Sequence, residues 1–317
     1  MRRYLIRRLL QGIPVLFVVS LLVFLVLNLL PGDPVMARQG AFMDANYTQL
    51  MATLKHQMGL DRPIPERYAI WVWHALQGDF GVSYITQNSV AGLIAQKLPA
   101  TLELTVLSLV VALLVALPAG ILAALRPNSW LDLAVTGFVT MGLAIPGFWL
   151  GMMLMIFFAV QMGLLPAVGY APLMENPGDN LRHVVMPAVT LAIILAAPVM
   201  RFLRSSLLEV LGQEYITTAR SKGLAQVVVI SRHALRNALI PTVTVIGLQF
   251  ANLLSGVVII EWLFAWPGMG WLTVDAVQNR DYSVVQASVI LMATGFVLVN
   301  LVVDVLYAVF DPRIRYS

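Results

Sequence analysis

RFLRSSLLEVLGQEYITTARSKGLAQVVVISRHALRNALIP, residues 201–241, is a polar island in an apolar chain. It holds six basic residues, Arg201, Arg204, Arg220, Lys222, Arg232 and Arg236, so it is too polar to cross a bilayer. It is also too long for a tight turn. Residues 214–220 suit a short helix, Gly223 is a C-terminal stop, and Pro241 marks the entry to the next apolar run. The small residues Thr217, Thr218, Ala219 and Ser221 beside Gly223 form a low-profile surface that another protein could approach closely. Composition alone leaves a solvated loop and a docking element both open.

Outward from this island the chain is lipid-like. Of 317 residues, 59% are hydrophobic and 11% charged, where a soluble domain carries about a quarter charged. An ordinary globular enzyme and a disordered chain are both excluded. A spanning helix needs about 20 mostly apolar residues, and six intervals between charged side chains qualify: 9–32, 104–125, 133–174, 183–200, 237–260 and 282–303. The third contains Pro166, Gly169 and Pro172, turn formers that leave one span over about 133–160 followed by a loop. The expected fold class is an all-α integral membrane protein with six transmembrane helices.

Orientation follows from Lys and Arg. With the N-terminus inside, segments 1–8, 126–132, 201–236 and 311–317 hold 13 of the 20 basic residues. Both termini are therefore expected in the cytoplasm. The basic start and apolar run of residues 2–30 resemble a signal peptide, but the run is long and no A-x-A-like site follows, so it reads as a retained first span.

The organisation is then 1–32, a cytoplasmic N-terminus and first span; 33–103, an external segment; and 104–317, a core with the cytoplasmic loop 201–236. Two amphipathic helices are expected in the external segment. Leu50, Met51, Leu54 and Met58 mark one that stops at Gly59; Pro65 opens another, with Tyr68, Val72 and Leu76 on one face and a stop at Gly78. They would lie on the membrane or other helices, or face an external partner.

Signs of catalysis are sparse. His56, His74, His183 and His233 are scattered, and no H-E-x-x-H is present. Gly81-Val82-Ser83 lacks the second glycine of a nucleophile elbow, because Ile85 stands in its place. No phosphate-cradling G-x-x-x-x-G-K-[ST] occurs, so any ATP-driven process needs another polypeptide to bind the nucleotide. The absence of cysteine excludes thiol nucleophiles and Cys-ligated metals. Glu103, Glu261 and Asp304 lie near expected span ends, where water or headgroups can solvate them. On the fifth span Gln249, Asn252 and Gly256 share a face at i, i+3 and i+7. That stripe suits interhelical hydrogen bonds and close packing, or the lining of a solute path; the two are compatible where the face meets a second membrane subunit.

Glu214-Tyr-Ile-Thr-Thr-Ala-Arg-Ser-Lys-Gly223, followed by His233-Ala-Leu-Arg-Asn-Ala-Leu-Ile-Pro241, resembles the EAA loop of permease subunits in bacterial ABC importers of dipeptides, oligopeptides, glutathione and nickel. Further matches are Leu30-Pro-Gly-Asp-Pro34, Gly78-Asp-Phe-Gly-Val-Ser83, Pro99-Ala-Thr-Leu-Glu-Leu104, Phe264-Ala-Trp-Pro-Gly-Met-Gly270, Arg280-Asp-Tyr282 and Asp311-Pro-Arg-Ile-Arg315. Each is weak alone; in this order on a six-span chain they are specific. The general pattern opens E-A-A six residues before its glycine, where this chain has Thr217, Thr218 and Ala219, so Glu214 is not the pattern's Glu.

The resemblance implies a type I ABC importer permease fold in the bacterial inner membrane. It implies a second related permease, two ATPase subunits that hold ATP and Mg, and an external solute-binding protein as partners. This chain would need no cofactor of its own and no nucleic acid. Glu214, Thr217, Thr218, Ala219, Arg220, Ser221, Lys222 and Gly223 would form the coupling helix docked in an ATPase groove, and Gln249, Asn252 and Gly256 the pathway or permease interface. No His or carboxylate cluster suited to a bare transition metal lies in the spans, which favours short peptides over nickel. Glutathione stays open, as does a scaffold subunit without a solute path.

Overall fold

The computed structural model describes residues 2–29 and 61–310; side chains of residues 2–6, 251, 252, 254–256, 304 and 306–310 are outside that description. The expected helix at 50–58 and the motifs at 30–34 and 311–315 fall outside the described residues.

Helices account for most of the described chain. In order they are α1 (Arg2–Leu29), α2 (Ile64–Leu76), α3 (Val90–Leu125), α4 (Trp130–Ala144), α5 (Gly147–Leu154), α6 (Pro177–Leu211), α7 (Glu214–Ser221), α8 (Leu235–Leu263), α9 (Met269–Gln278) and α10 (Tyr282–Phe310). A π-helical segment, Met155–Gln161, extends α5, and the turn Gln226–Val228 with a second π segment, Val229–Ala234, leads into α8.

Among the described residues, four helices are long and apolar enough to cross a membrane, over Arg7–Leu29, Val90–Leu125, Pro177–Leu211 and Tyr282–Val303. The third expected span needs a correction. It is no straight helix over 133–160, because the chain bends by 107° between Trp130–Ala144 and Gly147–Gln161. Pro146 disfavours the helical region for Ile145, which sits at φ −83°, ψ 126° and ends α4. Counted as one bent crossing, this pair makes a fifth. The expected span 237–260 lies within α8. α3 runs unbroken for 36 residues, about 54 Å, longer than the hydrocarbon core alone requires; its first turns, from Val90, belong to the expected external segment.

The chain divides into two units. One comprises Met1–Arg8, Leu102–Trp266 and Phe296–Ser317. Its centre is α6, with 67% of its apolar window buried against 17–28% in the other three spans. α4, α5 and α8 pack on it. Glycines allow the approach: a Cβ on Gly142 would stand 2.9 Å from Ala197, and one on Gly151 2.8 Å from Leu263, separations that would force a shift.

The other unit comprises Leu9–Thr101 and Pro267–Gly295. Leu27, Val90, Ile94, Met269, Leu272 and Val285 are among the residues of its core. Thr101 Oγ1 accepts from the Met269 N–H at 2.7 Å, satisfying a free donor at the start of α9. α2 stops as expected, with Gly78 at φ +81°, and both reversal bonds are present, Gly78 N to Ala75 O and Asp79 N to His74 O, each at 3.0 Å. The inward face of α2 differs from the expected one. Tyr68 and Trp71 turn towards Phe24 of α1, while Leu76 is 78% exposed. Eight residues at about 100° each overshoot two turns by about 80°, which carries Leu76 off the Tyr68 face.

Candidate functional site

The polar island of residues 201–241 folds into a base with a helix laid on it. α6 ends at Leu211, Gly212 and Gln213 turn the chain, and α7 follows. Glu214 stands in the first turn of α7 and Arg220 in its last, each complementing the helix dipole. Ile216 is fully buried and Ala219 nearly so, in a cluster with Ala124, Leu203, Leu207, Val229, Ala234 and Ala238. The spacing of three residues puts both on one helical side. The Tyr215 hydroxyl accepts from Asn237 Nδ2 at 2.9 Å, tying α7 to the first turn of α8. Ser206 Oγ donates to Ala238 O at 3.3 Å, tying α6 to the same turn.

Seven of the eight residues expected at the docking surface are exposed: Glu214, Thr217, Thr218, Arg220, Ser221, Lys222 and Gly223. Ala219 is the exception and a correction, since it packs into the base beneath α7 and offers no surface. The hydroxyls of Thr218 and Ser221 donate to the carbonyls of Glu214 and Thr217, both at 3.0 Å, which folds these two side chains back onto the helix. Gly223 adopts φ +76°, a Cβ there would meet nothing within 4 Å, and its N–H donates to Arg220 O at 2.9 Å. This is the left-handed residue that ends α7, and it sits in open space.

Exposed apolar side chains surround this face: Tyr215 at 42%, Leu224 at 41% and Val227 at 75%. They complete an outward patch that polarity alone did not disclose. The signal was present in the apolar run Val227-Val228-Val229, of which only Val229 turns inward.

A second feature of this unit escaped the sequence. Asp132, in the first turn of α4, forms a two-pronged ion pair with Arg204 of α6: Nε to Oδ1 at 2.5 Å and Nη2 to Oδ2 at 2.8 Å. Asn128 N–H donates to the same carboxylate at 3.0 Å, and Ser129 Oγ caps the helix by accepting from Asp132 N at 3.3 Å. The pair couples α4 to the α6 segment that carries α7. Beside it, a cavity of about 660 Å³ is lined by Thr136, Thr140, Arg201 and Ser205 among others.

On α8, Gln249 is half-buried, whereas the side chains of Asn252 and Gly256 are outside the described residues. Glu261 is corrected: it is wholly buried instead of solvated at a span end. α8 runs past it to Leu263, and Ala265 at φ +51° turns the chain back so that Phe264 and Trp266 are buried there too. Glu103 is half-buried and accepts from Asn180 Nδ2 at 2.6 Å and from Tyr170 at 3.4 Å. Burial and the neighbouring Glu103 carboxylate push the Tyr170 phenol above its usual range. Asp304's side chain is outside the described residues.

Comparison with known proteins places this architecture. Residues 116–316 match the family model of the binding-protein-dependent transport system inner membrane component, and residues 1–105 match the N-terminal model of the same membrane components. The chain belongs to that family. The permease is 44% identical, over 317 residues and the whole of both chains, to the glutathione transport system permease protein GsiC of Escherichia coli strain K12, and equally to that of Shigella flexneri serotype 5b. Its fold resembles the inward-facing MetNI methionine ABC transporter, with TM-score 0.57 and 19% identity, covering 69% of this chain and 96% of that one. An amino acid ABC transporter gives TM-score 0.52 at 17% identity, covering 70% and 94%. The protein is thus a permease subunit of an ATP-driven importer, a multi-pass protein of the inner membrane with the type I fold.

Proposed function

We propose that this permease forms half of a path for short peptides, glutathione first among them, and that α7 couples that path to a partner ATPase. The solute reading rests on 44% identity to a glutathione permease over every residue of both chains; glutathione is a tripeptide and falls within the peptide class. The coupling reading rests on α7 itself, an exposed helix whose inner side, Ile216 and Ala219, is locked into the core. A rigid element of this kind can transmit partner closure to α6 and α8 by biasing two arrangements of the bundle.

In this reading ATP and Mg belong to two ATPase subunits, a second permease completes the path, and an external binding protein delivers the solute. Both termini and residues 201–236 lie in the cytoplasm. Gln249, Asn252 and Gly256 face the second permease or the solute path.

Uptake of labelled glutathione, a dipeptide and nickel by cells dependent on this importer tests the solute. Glutathione uptake lost on deletion of the permease and restored by its return is the expected result. Nickel uptake with no peptide uptake would overturn it.

A further inference from the structure

In the unit of Leu9–Thr101 and Pro267–Gly295, a cavity of about 360 Å³ opens between α2, the last turns of α1 and the first turn of α10. It is large enough for a bound group. Phe24, Trp71 and Phe80 form apolar wall, and Arg67, Tyr84 and Gln286 contribute polar atoms.

Among the described residues, two donors in this cavity lack acceptors. The half-buried Arg67 guanidinium lies 5.9 Å above the Phe24 ring, and it has no carboxylate partner among the described residues. Burial pulls it below its usual range, although a guanidinium stays charged. The other basic side chains at the rim differ: Arg62 is paired with Glu66 at 3.2 Å, and His74 Nδ1 lies 3.2 Å from the Asp79 carboxylate. Trp71 Nε1 is buried without a hydrogen-bond partner among the described residues. Leaving the indole N–H unpaired away from water is costly, and with a half-buried guanidinium lining the same cavity, the group that would engage both is an oxyanion.

Its source follows from position. Phe24 and Asn28 lie at the end of the Arg7–Leu29 span and Tyr282 at the start of the Tyr282–Val303 span, so the cavity sits at a membrane boundary. Ile70 both lines the cavity and begins an exposed apolar stripe on α2, with Trp73 at 65% and Leu76 at 78% exposure. A free anion needs no such stripe; an acyl chain does.

We propose that this cavity binds a phospholipid, its phosphate oxygens accepting from the Arg67 guanidinium and the Trp71 indole N–H, its acyl chain lying along Ile70, Trp73 and Leu76. The lipid holds α2 on the membrane surface.

The test uses the assembled importer, extracted from nanodiscs of phosphatidylethanolamine and phosphatidylglycerol into detergent and weighed by native mass spectrometry. A retained phospholipid on the wild-type permease is expected, with retention about tenfold lower in Arg67→Gln, lowered also in Trp71→Phe, and unchanged in Arg62→Gln. Trp71→Phe keeps an aromatic ring on that wall while removing the N–H, so it reads the loss of the indole donor even if Arg67→Gln fails to assemble. Equal retention in wild type and Trp71→Phe, or no retained lipid in wild type, overturns the proposal. Displacement of the lipid by millimolar inorganic phosphate or glutathione also overturns it, because the site then belongs to a soluble anion.

Discussion

Ser83 and Asp281, 198 positions apart, are joined by a hydrogen bond from the Ser83 hydroxyl to the buried Asp281 carboxylate. The other carboxylate oxygen accepts from Tyr84 N at 3.1 Å. Ser83 Oγ in turn accepts from the N–H groups of Ile85 and Thr86, so one carboxylate organises the whole turn after Gly81. Two motifs that were separate in the sequence, 78–83 and 280–282, form a single latch.

Asp281→Ala leaves a buried hydroxyl and a backbone N–H without their acceptor, a cost of about 2–3 kcal/mol. Asp281→Asn keeps one oxygen and loses less. Thermal unfolding of the purified complex should rank wild type above Asp281→Asn above Asp281→Ala. Equal midpoints for all three would show the latch to be idle.

Gly223 is left-handed at φ +76°. Gly223→Asn, which tolerates that conformation, should transport near the wild-type rate, whereas Gly223→Ala should cost about 1–2 kcal/mol in the local turn. Gly223→Trp places a large side chain in the open space beside α7 and should abolish transport while the protein stays in the membrane. Normal transport and ATPase co-purification by Gly223→Trp would refute the docking role.

α8 ends in a full reversal, with Trp266 N donating to Glu261 O at 2.8 Å and Ala265 N to Trp262 O at 3.3 Å, yet the left-handed position holds an exposed alanine. Ala265→Gly should therefore stabilise the protein by about 1 kcal/mol, read as a higher unfolding midpoint. A lowered midpoint would mean that the alanine carries no strain.

The inside placement of residues 201–236 is checked by Ser205→Cys in a chain without cysteine. Ser205 is exposed, so a membrane-impermeant maleimide should label it in inverted vesicles and not in intact cells. Labelling in intact cells reverses the topology.

Asn252→Leu separates the two roles of the α8 stripe. Reduced uptake with intact assembly marks a solute path, and weakened co-purification of the second permease marks an interface. A variant normal in both removes this face from the mechanism.

Much of the permease was legible in one dimension. Apolar runs between charges located the long helices, and glycines at 78 and 223 marked where α2 and α7 stop. These properties are local: hydropathy is a sum over neighbours, and a left-handed stop depends on a few adjacent dihedrals. The sharp bend was local too, written in Ile145-Pro146, but the span length masked it.

Tertiary structure alone decided which neighbours each face would meet. Ala219, counted among the outward small residues, turns into the base because Ile216, three residues earlier, anchors that side of α7 to Leu203 and Leu207. The Asp132–Arg204 pair and the Ser83–Asp281 latch join segments 72 and 198 positions apart. Sequence periodicity describes a helix about its own axis, whereas a buried ionic or hydrogen-bonded partner is chosen only when packing brings a second element within reach and excludes the water that would otherwise satisfy it.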